Sequence, residues 1–429
     1  MGKNSRSTET NSGAETPIRI TYGEVFENAV IDVVASTDGA DRDGVDLLFS
    51  GGGKVHVASE IKHRGIVYRA PDLDSSIRQA MRFPPGATAY GSFTTLFKNV
   101  ANLYRQHLGL PEDMANFTTS WNFSTCIPEL LLIPPTLAIT ASRCQVRNLF
   151  RMFHSLCRRS LMVAQLSRHL PIHLGPTLLV DDPTLSPKAC AFWSAANSPG
   201  MVVPATGGKL CELACSKAVH LQPQDSPDLW GEEVMHLMPP PAEFPPLSSR
   251  LLEDIAAEFQ PQLEMFRLRR LIGQETFATP SSPLSDRAFA CNLYRCIPDD
   301  AGIVQSLTPL LESQQQEVLA RRARNPQLAI ITAVWVPAHK PGKMSVSEIT
   351  DRVNAILFSA GEMYVLNCRE IGWQLRKLRL WTHSTSSNRV LQFSTEIRQR
   401  LHQLGREFGL QLPTIQGCPE CMEAQVIDS

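Results

Sequence analysis

The sequence predicts a mixed α/β protein: a β-rich N-terminal segment, a parallel sheet wrapped by helices, and a helical C-terminal unit closed by a β-hairpin. Three observations carry that prediction. Residues 17 to 71 alternate apolar and polar side chains between turn signals, the period of half-buried strands. From 136 to 237, short runs of branched aliphatics recur between helical patterns, the rhythm of strand–helix units whose interior strands are apolar on both faces. From 325 onward, three helical stretches precede two strands joined by a polar tip.

The bulk numbers suit that picture. A chain of 429 residues, 43% hydrophobic and 19% charged, can build two or three domains with their own cores. Its 41 Lys and Arg against 42 Asp and Glu leave a net charge of -1. This excludes a global basic field, so contact with nucleic acid has to come from a local patch. Residues 1–16, "MGKNSRSTETNSGAET", are polar, lack the apolar core of a secretory leader and read as a disordered tail. Gly2 is present, but Arg6 stands where N-myristoylation needs Ser or Thr. No apolar run approaches the roughly 18 residues of a membrane helix. Eleven cysteines, several inside apolar segments (Cys126, Cys144, Cys157, Cys190), are distributed as reduced thiols and point to the cytoplasm.

Taken in order, 17–71 is the β-rich segment. Its Gly51-Gly-Gly-Lys54 superficially resembles a phosphate loop, but Val55-His-Val57 continues a strand where a helix would have to start, so the glycines read as a turn with positive φ. Residues 72–240 form the α/β domain. Asp74 or Ser75 caps a first helix, and Ser92 caps a second with Phe93, Leu96, Phe97, Val100 and Leu103 on one face. A strand at 136–140, a helix through "RCQVRNLFRMFHSLCRR", a helix at about 161–168 and a strand at 177–180 follow. Then come a helix at 186–196 and strand candidates at 201–203, 215–221 and 234–237. The breaker-rich "PPPAEFPP" opens a helical connector, 241–324, with helices at about 248–272, 283–296 and 301–322. Residues 325–410 are the last compact unit, and 411–429 a flexible tail.

The stretch "PTLLVDDPTL" places two carboxylates, Asp181 and Asp182, at the end of an apolar strand, as nucleotide-binding strands do when they offer an acid to magnesium. A phosphate loop should then stand about forty residues upstream. What stands there is Thr140-Ala-Ser-Arg-Cys-Gln-Val-Arg147, with no glycine, no lysine and no Lys-Ser or Lys-Thr pair. The plainer reading of "VDDP" is a strand end in which Asp182 caps the following turn.

The order of "YGSFTTLFKNV", the 136–150 strand and helix, "TLLVDDPTLS" and "LCELACSKAVHL" leading to "VMHLMPP" resembles the P-loop ATPase domain (AAA+ or RecA-like) of helicase-like proteins carried by phages and mobile elements. The resemblance covers about 40% of the chain. It implies that Asp181 and Asp182 match the Walker B acids, with Asp182 where glutamate is usual, and that Ser216 and Lys217 lie on the sensor strand. Gly231-Glu-Glu233 stands where the phosphate-sensing arginine is expected. With the loop missing, the resemblance implies a degenerate nucleotide fold kept as a scaffold, a pseudo-ATPase needing no cofactor. The alternative is a true ATPase binding Mg and ATP through Asp181, Asp182 and a non-standard loop around Arg143.

In the last unit, "QLAIITAVWVPAH" is an apolar helix. Ser345 and Glu348 are spaced as a capping box for the next, which Gly361 stops, and Asn367 caps "CREIGWQLRKLRL". "LWTHSTSSNRVLQFS" is a hairpin, and a helix at 395–409 packs Ile397, Leu401, Leu404 and Phe408 inward. This order is similar to the winged-helix domain that follows the ATPase domains of archaeal and viral replication helicases. The resemblance implies a third helix that enters a DNA major groove. Arg369, Gln374, Arg376, Lys377 and Arg379 on that helix, with His383 and Arg389 on the wing, are the candidate DNA-contacting residues. The cations neutralise phosphates, while Arg369 and Gln374 can reach base edges.

Cys418-Pro-Glu-Cys421 has metal-ligand spacing but no second ligand pair nearby in sequence; it is either half of a zinc site or a tail turn. His169 and His173 are split by Pro171 and do not share a helical face. The expected function is therefore a non-catalytic, DNA-associated accessory or regulatory protein derived from a helicase-type ATPase. The alternatives are the ATPase above and a protein-docking subunit of an intact ATPase or replication protein.

Overall fold

The structure, a computed structural model, describes residues 17–36, 44–167, 169–198, 200–204, 210–222, 230, 234–242, 244–273, 292–385, 388–408, 410 and 412–422. The expected disordered tail, most of the 283–296 helix and Gly231-Glu-Glu233 lie outside them. The chain divides into two units, Met1–Glu312 and Ser313–Ser429.

The first unit begins with β1 (Ile18–Ile20), β2 (Glu24–Phe26), β3 (Ala29–Ala35), β4 (Val45–Gly51), β5 (Lys54–Ala58), β6 (Glu60–His63) and β7 (Ile66–Arg69). They make an antiparallel meander β2-β3-β4-β5 and a small sheet β1-β7-β6. Gly52 and Gly53, at φ 57° and 75°, close the β4–β5 hairpin. Both central positions need the left-handed region in such a two-residue turn, so glycine stands there for the turn and not for phosphate. Helix α1 (Ser75–Ala80) is capped by Asp74, α2 (Phe93–Leu108) by Ser92, and α3 (Glu112–Cys126) is buried at every residue from Ala115 on.

The parallel sheet follows. Its strands are β8 (Thr136–Ile139), β9 (Ser160–Val163), β10 (Thr177–Val180), β13 (Lys217–His220) and β14 (Met235–Leu237), in the order β14-β8-β13-β10-β9. Helix α4 (Arg143–Leu156) joins β8 to β9, and α5 (Pro187–Ala195) follows β10. β8, β10 and β13 are buried along their whole length; the aliphatic runs of β8 and β10 predict this, whereas β13, Lys217-Ala-Val-His220, buries a polar residue at each end.

Two expectations are corrected. Residues 160–163 are an edge strand, not the start of a helix: α4 ends at Leu156, and Leu161–Val163 pair with Leu178–Val180. Three apolar residues in a row fit an edge strand as well as a helix turn, and hydrogen bonding to β10 decides between them. Val202–Pro204 (β11) does not join the parallel sheet but pairs antiparallel with Leu210–Glu212 (β12). Helices α6 (Ser249–Leu271) and α7 (Ala301–Ala323) close the series, with α7 spanning the division between the units.

One carboxylate fastens the β-rich segment to the rest of this unit. Asp32 on β3, 1% exposed, accepts hydrogen bonds from Arg158 (3.0 and 3.1 Å), from Arg159, and from Arg267 Nε at 2.5 Å. Arg267 continues to Glu129 through two 2.7 Å bonds. Burial would raise the pKa of Asp32, but the three guanidinium groups outweigh it and hold the carboxyl well below the usual range.

The second unit contains α8 (Pro326–Ala338), β15 (Lys343–Ser345), α9 (Val346–Ser359), α10 (Cys368–Lys377), β16 (Thr382–Ser384), β17 (Arg389–Gln392) and α11 (Thr395–Glu407). Ile330, Val334, Ile349, Val353, Ile371, Leu375, Leu391 and Leu401 form its core. Both expected capping boxes are present, Ser345 with Glu348 and Asn367 with Glu370. Gly361, at φ 88°, follows the end of α9. The hairpin β16–β17 gains a third strand: β15 pairs antiparallel with β17, Met344 opposite Leu391, in the order β15-β17-β16. Among the described residues, no helix is long and apolar enough to cross a membrane.

Candidate functional site

The first place to look is the carboxyl edge of the parallel sheet, where α/β folds bind ligands. Parallel register brings the ends of β8, β10 and β13 level there. Asp181 lies just past β10. One of its carboxylate oxygens is 2.8 Å from His220 Nδ1 and the other 3.7 Å from Arg143 Nε. Asp182 is buried and turned inward: it accepts from the backbone N–H of Leu166 (3.2 Å) and from the N–H and hydroxyl of Thr184 (2.8 and 2.7 Å). That is the capping role in which an Asp-Pro strand end needs no metal.

The loop between β8 and α4 is similarly committed to local bonding. Ser142 and Gln145 form a reciprocal capping box, so amides that would otherwise face an anion bond to side chains of the same turn. Gln145 also donates to the Pro240 carbonyl at 2.8 Å. Arg143 and Arg147 are exposed.

The sensor-strand residues fall at the wrong end. Lys217 opens β13 opposite Thr136, at the amino edge, wholly buried, with its Nζ bonded to Asn197 Oδ1 (2.5 Å) and the Cys215 carbonyl (2.8 Å). The polar residue that does end the strand at the ligand edge is His220. Neighbouring His236 bonds Thr140 Oγ1 at 3.0 Å. Strand length alone hides which end a polar residue marks, so sequence reasoning passed over His220.

The second place is α10 and its hairpin. Arg369, Arg376, Lys377, Arg379, His383 and Arg389 are all exposed. Among the described residues no acid pairs with any of these cations; the ion pairs of this unit join Arg324 to Glu362 and Arg400 to Glu407. Lys377 Nζ lies 3.5 Å from the ring centroid of Trp373, which is 54% exposed. Gln374 differs from its expected role: it is half-buried and its Oε1 accepts from Gln327 Nε2 at 3.1 Å. It ties α10 to α8 rather than standing free. Exposed apolar side chains, Phe358, Met363, Val365 and Trp381, flank these cations in sequence.

The third place was only half visible in the sequence. Cys418 and Cys421 are buried, and two histidines join them: His339 at the end of α8 and His402 on α11. The four ligand atoms lie within 4.8 Å of one another. Burial pushes the Cys418 thiol up to about 11, and burial together with the adjacent His339 lowers the His402 pKa. The histidines are 63 residues apart and His402 precedes Cys418 by 16, so no short motif announces the group.

No family model and no curated protein sequence matches the chain. Among solved structures it is similar to "The A form apo structure of NrS-1 C terminal region-CTR", at 8% identity and TM-score 0.33, covering 85% of this chain and 97% of that one. A second, "The A form apo structure of NrS-1 C terminal region-CTR(305-718)", matches at 9% identity and TM-score 0.29, covering 85% and 96%. Scores of this size assign neither fold nor function.

Proposed function

We propose that the protein is a non-catalytic, DNA-associated accessory factor. In this reading the second unit is a winged helix that contacts DNA through α10 and the β16–β17 wing, and the parallel-sheet domain is a degenerate nucleotide fold acting as scaffold. The observation that carries the reading is the contrast in pairing. Arg369, Arg376, Arg379 and Arg389 are exposed and have no acid partner among the described residues, whereas the sheet edge that would hold a nucleotide has its acids engaged. Arg379 lies past the end of the helix, after the Leu378 cap and at φ 60°, not on it. Cations on α10, just beyond its end and on the neighbouring wing suit phosphate neutralisation, and Arg369 at the start of α10 is where a recognition helix reaches base edges. Gln374, held by Gln327, is withdrawn from base contact in this reading.

The test is a salt titration of the full chain with duplex and single-stranded DNA, alongside Arg376→Ala/Lys377→Ala. Affinity that falls steeply with salt, and less steeply in the variant, is the expected result. Salt-insensitive or absent binding, together with wild-type behaviour of the variant, overturns the reading.

A second reading, protein docking by the same unit, rests on three large apolar side chains close in sequence and left exposed, Phe358 (72%), Met363 (89%) and Val365 (77%). Unchanged chromatography in the presence of DNA, with a stable co-purifying partner, favours it.

A further inference from the structure

We infer that His339, His402, Cys418 and Cys421 form a closed, structural zinc site that pins the C-terminal tail to the second unit. The distances are those of a coordination shell. A tetrahedral centre with bonds of about 2.0–2.1 Å to nitrogen and 2.3 Å to sulfur separates its ligands by roughly 3.3 Å between nitrogens, 3.6 Å between nitrogen and sulfur and 3.8 Å between sulfurs. Here His339 Nε2 and His402 Nε2 are 3.1 Å apart. Cys418 Sγ lies 3.4 Å from His402 Nε2, while Cys421 Sγ lies 3.4 Å from His339 Nε2 and 3.8 Å from His402 Nε2.

The orientation of the first imidazole fits as well. His339 Nδ1 is 2.7 Å from the Trp335 carbonyl, an acceptor only, so Nδ1 carries the proton and Nε2 turns a lone pair into the cluster. Trp335 walls the site, its ring 4.7 Å from His402 edge-on and its Nε1–H bonded to the Pro413 carbonyl at 2.9 Å. Three of the four ligands are less than 8% exposed, His402 at 7%, Cys418 at 4% and Cys421 at 5%.

Two thiolates, two neutral imidazoles and one divalent cation sum to zero charge, which makes burial inexpensive. Binding releases the two thiol protons to solvent; one of them is held at present between Cys418 Sγ and Glu420 Oε2, 3.1 Å apart. A buried, tetrahedral S2N2 set with no open position selects zinc and leaves no place for a substrate, so the role is structural. The ligands come from α8, α11 and the turn after Gly417, at φ 81°, and thus join the first helix, the last helix and the tail of the unit.

The experiment is metal analysis of the full chain, purified reduced and without added chelator, followed by exchange of Co2+ for the bound metal. About one zinc per chain is expected, with cobalt giving the intense visible bands of a tetrahedral site and thiolate charge transfer. Cys418→Ser and His402→Ala are expected to weaken zinc at least about tenfold, while Cys418→His, which restores a ligand, retains it. The cobalt spectrum of the wild type decides the matter even where a variant does not fold. The inference is overturned by a chain that neither contains nor takes up zinc or cobalt, by a Cys418–Cys421 disulfide in the purified protein, or by zinc retained in both ligand-deleting variants. The readout is metal content, so its failure is distinct from a failure to bind DNA.

Discussion

Arg158, Arg159 and Arg267 in the first unit and Arg369, Arg376, Arg379 and Arg389 in the second put the same guanidinium in opposite circumstances. The first three are buried around Asp32. The other four stand in solvent, with no acid beside them among the described residues. A cation taken out of water requires a partner at close range, whereas one left in water does not. The near-equality of 41 cationic and 42 acidic residues therefore conceals two populations. One holds the fold together, and the other is exposed to solvent. Pairing, not net charge, separates them.

The comparison breaks most visibly at Asp32. Asp32→Ala leaves three buried guanidinium groups facing one another, and removing one partner of such a cluster costs about 3–5 kcal/mol. A drop of that size in the unfolding free energy of the first unit, read by urea denaturation, is the expected outcome. Wild-type stability would mean that water screens the arginines. The acid limb carries a second signature. A carboxyl held below its unfolded pKa contributes stability that is present above about pH 4 and lost as pH falls through the lowered value. Asp32→Ala should flatten that limb.

Glu264, in the same interior, is the converse case. Its pKa is raised to about 8: burial and the negative charge of Asp32 push it up, and Arg267, Arg158 and Arg159 oppose them. An acid neutral in the fold and ionised in the unfolded chain favours folding fully below about pH 4, and that contribution is lost as pH rises towards 8. Glu264→Gln cannot ionise, so its melting temperature should fall less than that of the wild type between those limits. Parallel curves would place the charge on Glu264 already in the fold. A smaller loss, about 1–3 kcal/mol, is expected for Asp182→Ala, which strips the acceptor from the Leu166 and Thr184 amides. Any magnesium-dependent hydrolysis by the wild type that vanishes in this variant would instead restore the carboxylate to nucleotide chemistry.

How much of this was legible follows the range of the interactions. β8 and β10 declare themselves because burial on both faces demands aliphatic runs, and the caps at Ser92, Ser345 and Asn367 because their bonds span three residues or fewer. Helix α3 has no polar face to betray its period, since it is buried all round, with Thr118, Thr119 and Asn122 inside. Strand β15 is three residues whose only strand signal is the partner on β17. Asp32 meets arginines 126 to 235 residues away, and the Cys-x-x-Cys pair finds its histidines only through the fold. The candidate DNA residues were readable as a basic helix, but the engagement of Gln374 by Gln327 was not.

The smallest effect on stability is the sharpest test of the contrast. Arg376 and Lys377 sit on the outer face of α10, with Leu375 and Leu378 beside them directed into the core. Among the described residues Arg376 has no ion-pair partner, and Lys377 only its contact with Trp373, so Arg376→Ala/Lys377→Ala should unfold within about 0.5 kcal/mol of the wild type. The same pair, if it touches phosphates, should lower the slope of log K against log salt by about 1 for each contact removed, uniformly across DNA sequences. Arg369→Ala should act differently: a base-edge contact costs about 1–3 kcal/mol and relaxes preference at one position without changing the slope by more than its own share. A variant pair that unfolds early but binds like the wild type would reverse the assignment, making these two residues structural and returning the binding role to the exposed apolar side chains of this unit.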